Sequence, residues 1–431
     1  MKTTTRRKFI TSALVGGAAI SNLPLISCTS GNKKSFSEEE LKSRFDKLNK
    51  VLKQPILKKE LFSEPVIIKS LELLEYNNSY LCRVRSEDGA EGISVAHPSM
   101  SMLFPVFIRS LRSFFIRQDA RELDLLLDKI LMYNLNFRLN GFTLGIPLAT
   151  IEFAILDMLG KISGKPVAQL IGEIHNPEIG LYMATEFREL PLEEHFARIK
   201  DEVARYDVNA LKIKVGFMWG GNRDINYKGI PGKSEKLIPM VREHYGDKMA
   251  LYADANGYYN ADEAIKIGRI LEENKYAYFE EPVMYNHFED IKKVSEELTI
   301  PVANGEQDHC FYNFRWLLAH GGLDIVQPDT YYFGGFIRSM RVALMGHVFG
   351  KTCVPHMSGG GLGFLYNNIF VSAIPNADKH HEFKSLNTNV VYECPTAPPK
   401  VENGKMKAST GPGMGVIIDP EFVEKHQIVR L

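Results

Sequence analysis

The sequence predicts an α/β protein in which a (β/α)-barrel of the TIM type follows an N-terminal α+β domain. After residue 177, short apolar segments alternate with amphipathic helical segments, the βαβα pattern of a parallel sheet with helices outside. Eight strand candidates lie within about 200 residues, the number that closes a barrel of this type. An open doubly wound sheet is the competing fold, but no Gly-x-Gly-x-x-Gly segment follows the first strand candidate.

The composition is that of a folded protein of average polarity. The 431 residues include 52 basic and 52 acidic side chains, and 45% of the residues are apolar. Because the formal net charge is zero, nothing in the overall electrostatics suggests a nucleic-acid partner. The five cysteines show neither a CxxC pair nor a zinc-type Cys-His spacing, and we expect no internal membrane span.

Residues 1–28 are expected to be an export signal. Arg6-Arg7-Lys8 precede an apolar run of small residues, which ends at Leu25-Ile26-Ser27-Cys28. The basic segment resembles a twin-arginine signal, and the last four residues resemble a lipoprotein box in which Cys28 would carry lipid. We therefore expect a periplasmic protein whose only membrane attachment is this lipid. The alternative is a basic amphipathic helix packed on the domain, or an uncleaved anchor.

Three further regions follow the signal. Residues 29–60 are rich in Lys and Glu and are expected to form a tether with short solvated helices. Residues 61–176 combine strand-like segments with later helical periodicity, which predicts the α+β domain, completed by residues of about 385–431. The barrel is predicted over 177–384, with a long polar loop at 217–236 after its second strand.

The eight barrel strands are predicted in chain order at short apolar segments: Leu181–Met183, Ala210–Val215, Met249–Ala253, Tyr276–Phe279, Ile300–Ala303, Asp324–Val326, Thr352–Val354 and a weaker one near His380. Amphipathic helices such as 261–274 and 311–320 lie between them.

Acidic residues follow three successive strand candidates. Asp254, Glu280 and Glu306 are spaced 26 residues apart, which is the length of one βα unit. A single acid at such a place most simply caps a helix, but three in consecutive units converge on one barrel mouth. Close carboxylates repel one another unless a cation lies among them. Because the ligands are all oxygens, Mg²⁺ is the expected ion, with Mn²⁺ possible.

Other polar residues recur at the same strand ends. Lys212 and Lys214 lie two residues apart and therefore on one face of the second strand. Alone they would be solvated lysines, but beside the acids they suit a carboxylate-binding cation and an amine base. Asp329 and His356 follow the sixth and seventh strands, where a carboxylate could orient the imidazole ring. Glu382 falls near the eighth strand.

Seven motifs together resemble the enolase superfamily, in particular the mandelate racemase-like subgroup of the mandelate racemase and muconate lactonizing enzyme family: Lys212-x-Lys214, Asp254-Ala255-Asn256, Glu280-Glu281-Pro282, Gly305-Glu306, Gln327-Pro328-Asp329, Pro355-His356 and Glu382. The resemblance covers about Glu64 to the C-terminus. It implies an enolase-type (β/α)-barrel with an N-terminal α+β capping domain, to which His97–Ser101 and Asn140–Phe142 would contribute.

The resemblance also implies residue roles. The three spaced acids, Asp254, Glu280 and Glu306, would bind Mg²⁺. Lys214 would be the base on one face of the substrate, and His356, paired with Asp329, the acid or base on the other. Lys212 would neutralise the substrate carboxylate, and Glu382 would hydrogen-bond the developing enediolate.

We expect the reaction to be dehydration of a sugar acid to a 2-keto-3-deoxy acid. Asn256 and His309 offer polar contacts for a polyol chain. A racemase or epimerase of a 2-hydroxy acid, or a cycloisomerase, would use the same proton abstraction. A lipid-tethered sugar-acid binding protein is the alternative without catalysis. The expected partner is a small carboxylate substrate, and a homo-oligomer is expected.

Overall fold

The computed structural model describes residues 36–217 and 229–431. The predicted export signal, including Cys28, lies outside the described residues, as do positions 218–228 of the predicted polar loop. The later part of that loop differs from expectation, because a helix begins at Lys233. The four cysteines at positions 82, 310, 353 and 394 are free.

The N-terminal part of the described chain is an antiparallel sheet followed by helices. Its elements are α1 (Glu38–Leu52), β1 (Ile68–Tyr76), β2 (Ser79–Ser86), β3 (Glu91–Val95), α2 (Met100–Val106), α3 (Arg112–Phe115), α4 (Leu123–Lys129), α5 (Phe142–Ser163) and α6 (Val167–Ile171), with a π-helical turn over Phe107–Leu111 and 3-10 turns over Lys59–Leu61, Ala120–Glu122 and Tyr133–Leu139. Helix α5 packs against β2 and β3. It is long and apolar enough to cross a membrane, but it is a core helix with 89% of its apolar window buried.

The elements in the second part of the described chain are eight parallel strands and the helices that alternate with them. They are β4 (Glu178–Ala184), α7 (Leu192–Ala204), β5 (Ala210–Lys214), α8 (Lys233–Tyr245), β6 (Ala250–Asp254), α9 (Ala261–Glu273), β7 (Phe279–Glu280), α10 (Phe288–Glu297), β8 (Val302–Asn304), α11 (Phe311–Ala319), β9 (Ile325–Val326), α12 (Phe336–His347), β10 (Thr352–Cys353), α13 (Leu362–Ala373) and β11 (His381–Phe383), with a 3-10 turn over Gly246–Lys248. Each predicted strand position is occupied by one of these strands.

The parallel sheet curls into a barrel. Its strands are hydrogen-bonded in the order β10-β9-β8-β7-β6-β5-β4-β11, and a parallel bridge from Cys353 to Ala377 joins its two ends. Side chains from the strands fill the interior: Tyr182, Ala184, Ala210, Tyr252, Tyr278, Ala303, Ile325 and Val354. The barrel therefore has a packed core, and a site can form only at its rim. The predicted fold class, a TIM-type barrel with an N-terminal α+β capping region, is confirmed.

The C-terminal segment returns to both parts of the chain. It contains β12 (Tyr392–Glu393), β13 (Lys405–Lys407), β14 (Ile417–Ile418), α14 (Pro420–Glu424) and β15 (Gln427–Ile428). Strand β13 pairs with β4, whereas β15 pairs with β1 and becomes the fourth strand of the N-terminal sheet. The C-terminal end of the chain thus completes the sheet of the capping region.

Helix α1 differs from the solvated tether expected over residues 29–60. It begins with a capping box between Ser37 and Glu40, and it packs against α11 and α12. Leu48 is completely buried there. Arg44 donates hydrogen bonds to the carbonyl oxygens of Ala319 (2.6 Å) and Leu318 (2.7 Å) at the end of α11. The segment is therefore part of the folded structure.

The packing of α1 predicts that truncating a buried side chain of this helix lowers the free energy of unfolding more than truncating an exposed one. Leu48→Ala removes a fully buried side chain and should lower the free energy of unfolding by about 2–5 kcal/mol. Lys47→Ala, at an exposed position of the same helix, should change it by less than about 0.5 kcal/mol. Urea unfolding followed by circular dichroism measures both. Equal, small effects would mean that α1 does not pack as described.

Candidate active site and metal centre

The three spaced acids meet at the carboxyl-terminal rim of the barrel. Asp254 and Glu280 are the last residues of β6 and β7, and Glu306 stands two residues beyond β8. Gly305 precedes Glu306 with a φ of +127°, and a Cβ atom there would lie 2.3 Å from the Phe314 ring. One carboxylate oxygen from each acid lies within 4.8 Å of the others, and all three residues are buried. The structure therefore brings together the acids that the spacing selected.

The electrostatics of this group fit a hard divalent cation. Burial, together with repulsion from Asp254 and Glu306, raises the pKa of Glu280 to about 8, although Lys212 opposes the shift. Oε2 of Glu306 is buried and has no hydrogen-bond partner within the described part of the chain. A cation bound among the three carboxylates would reduce the repulsion that raises the pKa of Glu280 and would give Oε2 of Glu306 a partner. Ligands that are all oxygens suit Mg²⁺.

Both lysines of β5 point into this group. Lys212 Nζ donates to the two carboxylate oxygens of Glu280 at 2.7 and 2.9 Å. Burial opposes the charge on Lys212, but the carboxylates of Glu280 and Glu382 outweigh it and raise its pKa well above the usual value. Lys214 Nζ donates to Asp254 and, at 3.0 Å, to Oδ1 of Asn256. The period-two prediction for this strand is confirmed by the placement of the two amines.

A histidine and an aspartate form a pair on the other side of the rim. His356 Nδ1 lies 2.7 Å from Oδ2 of Asp329, and His356 Nε2 lies 3.5 Å from Oε2 of Glu306 and 3.8 Å from Oε2 of Glu382. Burial lowers the pKa of His356, but these carboxylates outweigh it and raise the pKa to about 9. His356 is therefore protonated at neutral pH in the metal-free protein.

Backbone groups hold the two carboxylates beside this histidine. Asp329 accepts hydrogen bonds from the amides of Tyr331 and Tyr332, both at 2.8 Å. Glu382, in the middle of β11, accepts one from the amide of Met357 at 3.0 Å. Burial opposes the charge on Glu382, but Lys212 and other nearby cations outweigh it, so its pKa lies below the usual value.

The amine and the imidazole face the site from different sides. Lys214 lies on β5 and His356 follows β10, and around the eight-stranded barrel these strands are five places apart through β6 to β9 and three places apart through β4 and β11. The acids lie between them on β6, β7 and the β8 loop. A substrate carboxylate held at the acids would therefore have one proton-transferring group on each side.

The two weaker predicted contacts differ in placement. The Asn256 side chain donates to Oε1 of Glu306 at 3.0 Å and accepts from Lys214, which puts it inside the site. His309 lies against the capping region, where its ring would meet a Cβ atom at Gly141 at 3.6 Å. His309 and Tyr332 line the same small cavity beside the capping region. The prediction that it contacts substrate stays a prediction.

The capping region covers the histidine side of the mouth. The His97 ring lies 5.6 Å from the Tyr332 ring and 6.1 Å from the Phe142 ring, and Tyr332 in turn lies 6.0 Å from His356. The two capping segments expected to contribute therefore meet beside the acid–base pair. Burial lowers the pKa of His97.

Sequence reasoning assigned no role to three residues of this mouth, although Gln327 stands in one of the seven motifs. Gln327 donates to Oε2 of Glu280 at 2.8 Å. Lys384, two residues past Glu382 on the same face of the chain, lies 3.7 Å from Oε1 of Glu382. Arg188 follows β4 and donates to Oδ1 of Asn256 at 2.6 Å. The rule that identified the acids, a polar residue just after a barrel strand, also applies to Arg188.

The barrel, its acids at successive strand ends and the paired lysines place this protein in the enolase superfamily, with a mandelate racemase-like site. Residues 195–422, more than half of the chain, match the family model described as enolase C-terminal domain-like. The chain therefore belongs to that family.

Relatives of established name agree with this assignment. The chain is similar to arabinonate dehydratase of Saccharolobus solfataricus, with 26% identity over 80% of this chain and 89% of that protein. It is also similar to D-galactarolactone cycloisomerase of Agrobacterium fabrum, with 27% identity over 65% of this chain and 74% of that protein. A mandelate racemase/muconate lactonizing protein of Paracoccus denitrificans, solved in complex with magnesium, superposes with a TM-score of 0.74 and 25% identity over 84% of this chain and 99% of that one.

The acidic group predicts a response of thermal stability to Mg²⁺. Binding at a hundredfold excess over Kd should stabilise the wild-type protein by about 2.7 kcal/mol and raise Tm. Glu280→Gln should abolish most of this rise, because it removes a charged ligand oxygen.

Asp324→Asn serves as the matched control. Asp324 precedes β9 at the opposite end of the barrel and pairs with Lys351 at 2.5 Å, so this variant should keep the full rise in Tm with Mg²⁺. Differential scanning fluorimetry after chelation and Mg²⁺ addition measures all three proteins. A wild-type protein that ignores Mg²⁺, or a Glu280→Gln variant that responds like it, would contradict the metal centre.

Proposed function

We propose that this protein is a Mg²⁺-dependent enzyme that removes the proton α to the carboxylate of a sugar acid and dehydrates the acid to a 2-keto-3-deoxy acid. The observation that carries the proposal is the placement of Lys214 and His356 on two sides of the buried acids. Homologues named as sugar-acid dehydratases support it.

Asp254, Glu280 and Glu306 would hold the Mg²⁺ ion. When bound there, the ion would act as a Lewis acid toward the substrate carboxylate and so make the α-proton more acidic. Lys212, buried and charged, would bind the same carboxylate. Its ammonium group lies where negative charge would develop as the proton leaves.

The two proton-transferring groups would act on opposite faces of the substrate. Lys214 Nζ would accept the α-proton on one face. His356 would donate a proton to the departing β-hydroxyl group on the other face. Asp329, which lies 2.7 Å from His356 Nδ1 and takes no part in the proposed metal centre, would stabilise the protonated ring that this step needs.

The proposed role of Glu382 depends on the protonation state of its carboxyl group. In the ligand-free protein its carboxylate is ionised, because Lys212 and other cations lower its pKa. It can therefore donate a hydrogen bond to the enediolate only after it takes up a proton. Binding of an anionic substrate next to Oε1, which is 3.6 Å from Lys212 Nζ, would favour that uptake.

Cycloisomerisation is the second candidate, and the similarity to a galactarolactone cycloisomerase favours it. This reaction also begins with removal of an α-proton but does not require the Asp329–His356 pair. An epimerase would use both groups and return the proton from the second face. A binding protein without turnover would have no use for the buried base and acid.

Solvent exchange and product analysis separate these reactions. Lys214→Ala should lower both exchange of the α-proton into D₂O and product formation by about 10²–10⁴-fold. His356→Asn should stop dehydration by a similar factor but leave exchange from the lysine side. Proton NMR and mass spectrometry measure exchange and product on a library of sugar acids.

His347→Asn, an exposed histidine at the end of α12, is the matched control and should retain wild-type activity. A product that has lost water supports the dehydratase. A product of unchanged formula with inverted configuration would replace the proposal with an epimerase. Full activity of His356→Asn would replace it with a cycloisomerase.

We also propose export of the protein by its first 28 residues, on the strength of the Arg6-Arg7 pair and the Leu25-Ile26-Ser27-Cys28 box. Replacing Arg6 and Arg7 together by lysine should keep the protein inside cells that possess the twin-arginine pathway. Cys28→Ser should allow export but release the protein from the membrane fraction. Cell fractionation with immunoblotting decides, and unchanged distribution of both variants would contradict the proposal.

A further inference from the structure

One cationic side chain at the barrel mouth forms no ion pair with a carboxylate of the described residues. Arg188 lies in the loop after β4, and only 5% of its surface is exposed. Its Nη2 donates to the Asn256 amide oxygen at 2.6 Å. Its Nε and Nη1 are buried and have no hydrogen-bond partner among the residues that the structure describes. Burial opposes the charge on the nearby Asp254, but the charge of Arg188, with those of the two lysines of β5, lowers the pKa of Asp254. Buried N–H groups without acceptors nevertheless cost free energy unless a ligand supplies the missing acceptors.

The other cations of the mouth are already paired. Lys212 Nζ lies 2.7 Å from Glu280, Lys214 contacts Asp254, and Lys384 Nζ lies 3.4 Å from Glu186. Arg188 makes no ion pair within the described ranges. A substrate carboxylate bound at the acids and Lys212 would leave Arg188 unpaired, so a second acidic group is the natural partner.

Arg188 is held in position before any ligand binds. Lys233, at the first residue of α8, donates to the carbonyl oxygens of Arg188 and, at 2.9 Å, of Leu190. This buried amine fastens the loop on both sides of Glu189. Preorganisation of this kind lowers the cost of binding an anion.

Arg188 also lies close to the reacting atoms. Asn256 Oδ1 accepts from Arg188 at 2.6 Å and from the proposed base Lys214 at 3.0 Å. Those two hydrogen bonds place the guanidinium and the base next to each other across one amide. A six-carbon chain whose α-carbon is next to Lys214 could therefore reach Arg188 with its far end.

We propose that Arg188 binds the second carboxylate of a dicarboxylic sugar acid, so that the preferred substrates are aldarates rather than aldonates. This inference rests on the proposed function for the position of the first carboxylate. Arg188 acts as a specificity residue and takes no part in proton transfer.

The test compares acids that differ only in the far carbon. Galactarate and glucarate carry a carboxylate where galactonate and gluconate carry a hydroxymethyl group, and kcat/KM for 2-keto product is measured on each. The wild-type protein should prefer the aldarates. Arg188→Gln should lower kcat/KM on aldarates by about 30-fold or more and on aldonates by less than about threefold. Arg188→Lys keeps the positive charge, so its kcat/KM on aldarates should lie between those of the wild-type protein and Arg188→Gln.

Arg198→Gln is the matched control. Arg198 is exposed on α7 and lies over the Phe187 ring at 5.9 Å, so this variant removes a guanidinium from the outer side of the same loop. It should keep the wild-type preference. Circular dichroism confirms that each variant is folded.

The outcomes separate this inference from the proposed function. Dehydration of aldonates alone, or an equal loss on both classes in Arg188→Gln, would overturn the role of Arg188 and leave the chemistry standing. No turnover, but a rise in Tm with galactarate that Arg188→Gln loses, would overturn the chemistry and support Arg188. Neither turnover nor a rise in Tm with any of the four acids would overturn both.

Discussion

Repulsion among three buried carboxylates is the constraint around which this site is built. Each of the three acids receives hydrogen bonds from donors on strands one or two places away, or in the loops that follow those strands. Lys212 and Gln327 donate to Glu280, Lys214 to Asp254, and Asn256 to Glu306. These donors offset part of the repulsion, but burial and the neighbouring carboxylates still keep the pKa of Glu280 above its usual value. Two of the carboxylates that could bind a dication, Asp254 and Glu280, therefore also help to keep Lys212 protonated.

The capping region is coupled to the acid–base pair through one short loop. The amides of Tyr331 and Tyr332 donate to Asp329, which orients His356. The Tyr331 hydroxyl group donates to the carbonyl oxygen of Val95 at the end of β3, at 2.8 Å. A displacement of the capping sheet would therefore shift Asp329, the residue that positions the imidazole ring of His356. The capping sheet and the pair of Asp329 and His356 are therefore joined in one hydrogen-bonded unit.

Much of this arrangement could be predicted from the sequence because barrel topology converts chain spacing into position. A residue that ends a parallel strand must lie at the same rim as its counterparts, so Asp254, Glu280 and Glu306 needed no tertiary information. Other features depend on contacts that spacing does not encode. Helix α1 docks through Leu48 and through bonds from Arg44 to the end of a helix more than 260 residues away. His309 follows a strand as the acids do, but its loop carries it to the capping region.

The residues that perform the chemistry cannot by themselves define the substrate. The proposed base on β5, the acids on β6, β7 and the β8 loop, and the histidine after β10 would serve any reaction that begins with removal of an α-proton, and the named relatives include both dehydratases and a cycloisomerase. Selectivity must come from groups that touch the rest of the molecule. The loop after β4 is such a place, because Lys233 fixes its backbone while Nε and Nη1 of Arg188 are buried and lack hydrogen-bond partners among the described residues. On the inference drawn above, this loop favours ligands with a second carboxylate. A ligand with a neutral end would leave the buried N–H groups of Arg188 without acceptors and would therefore bind less well.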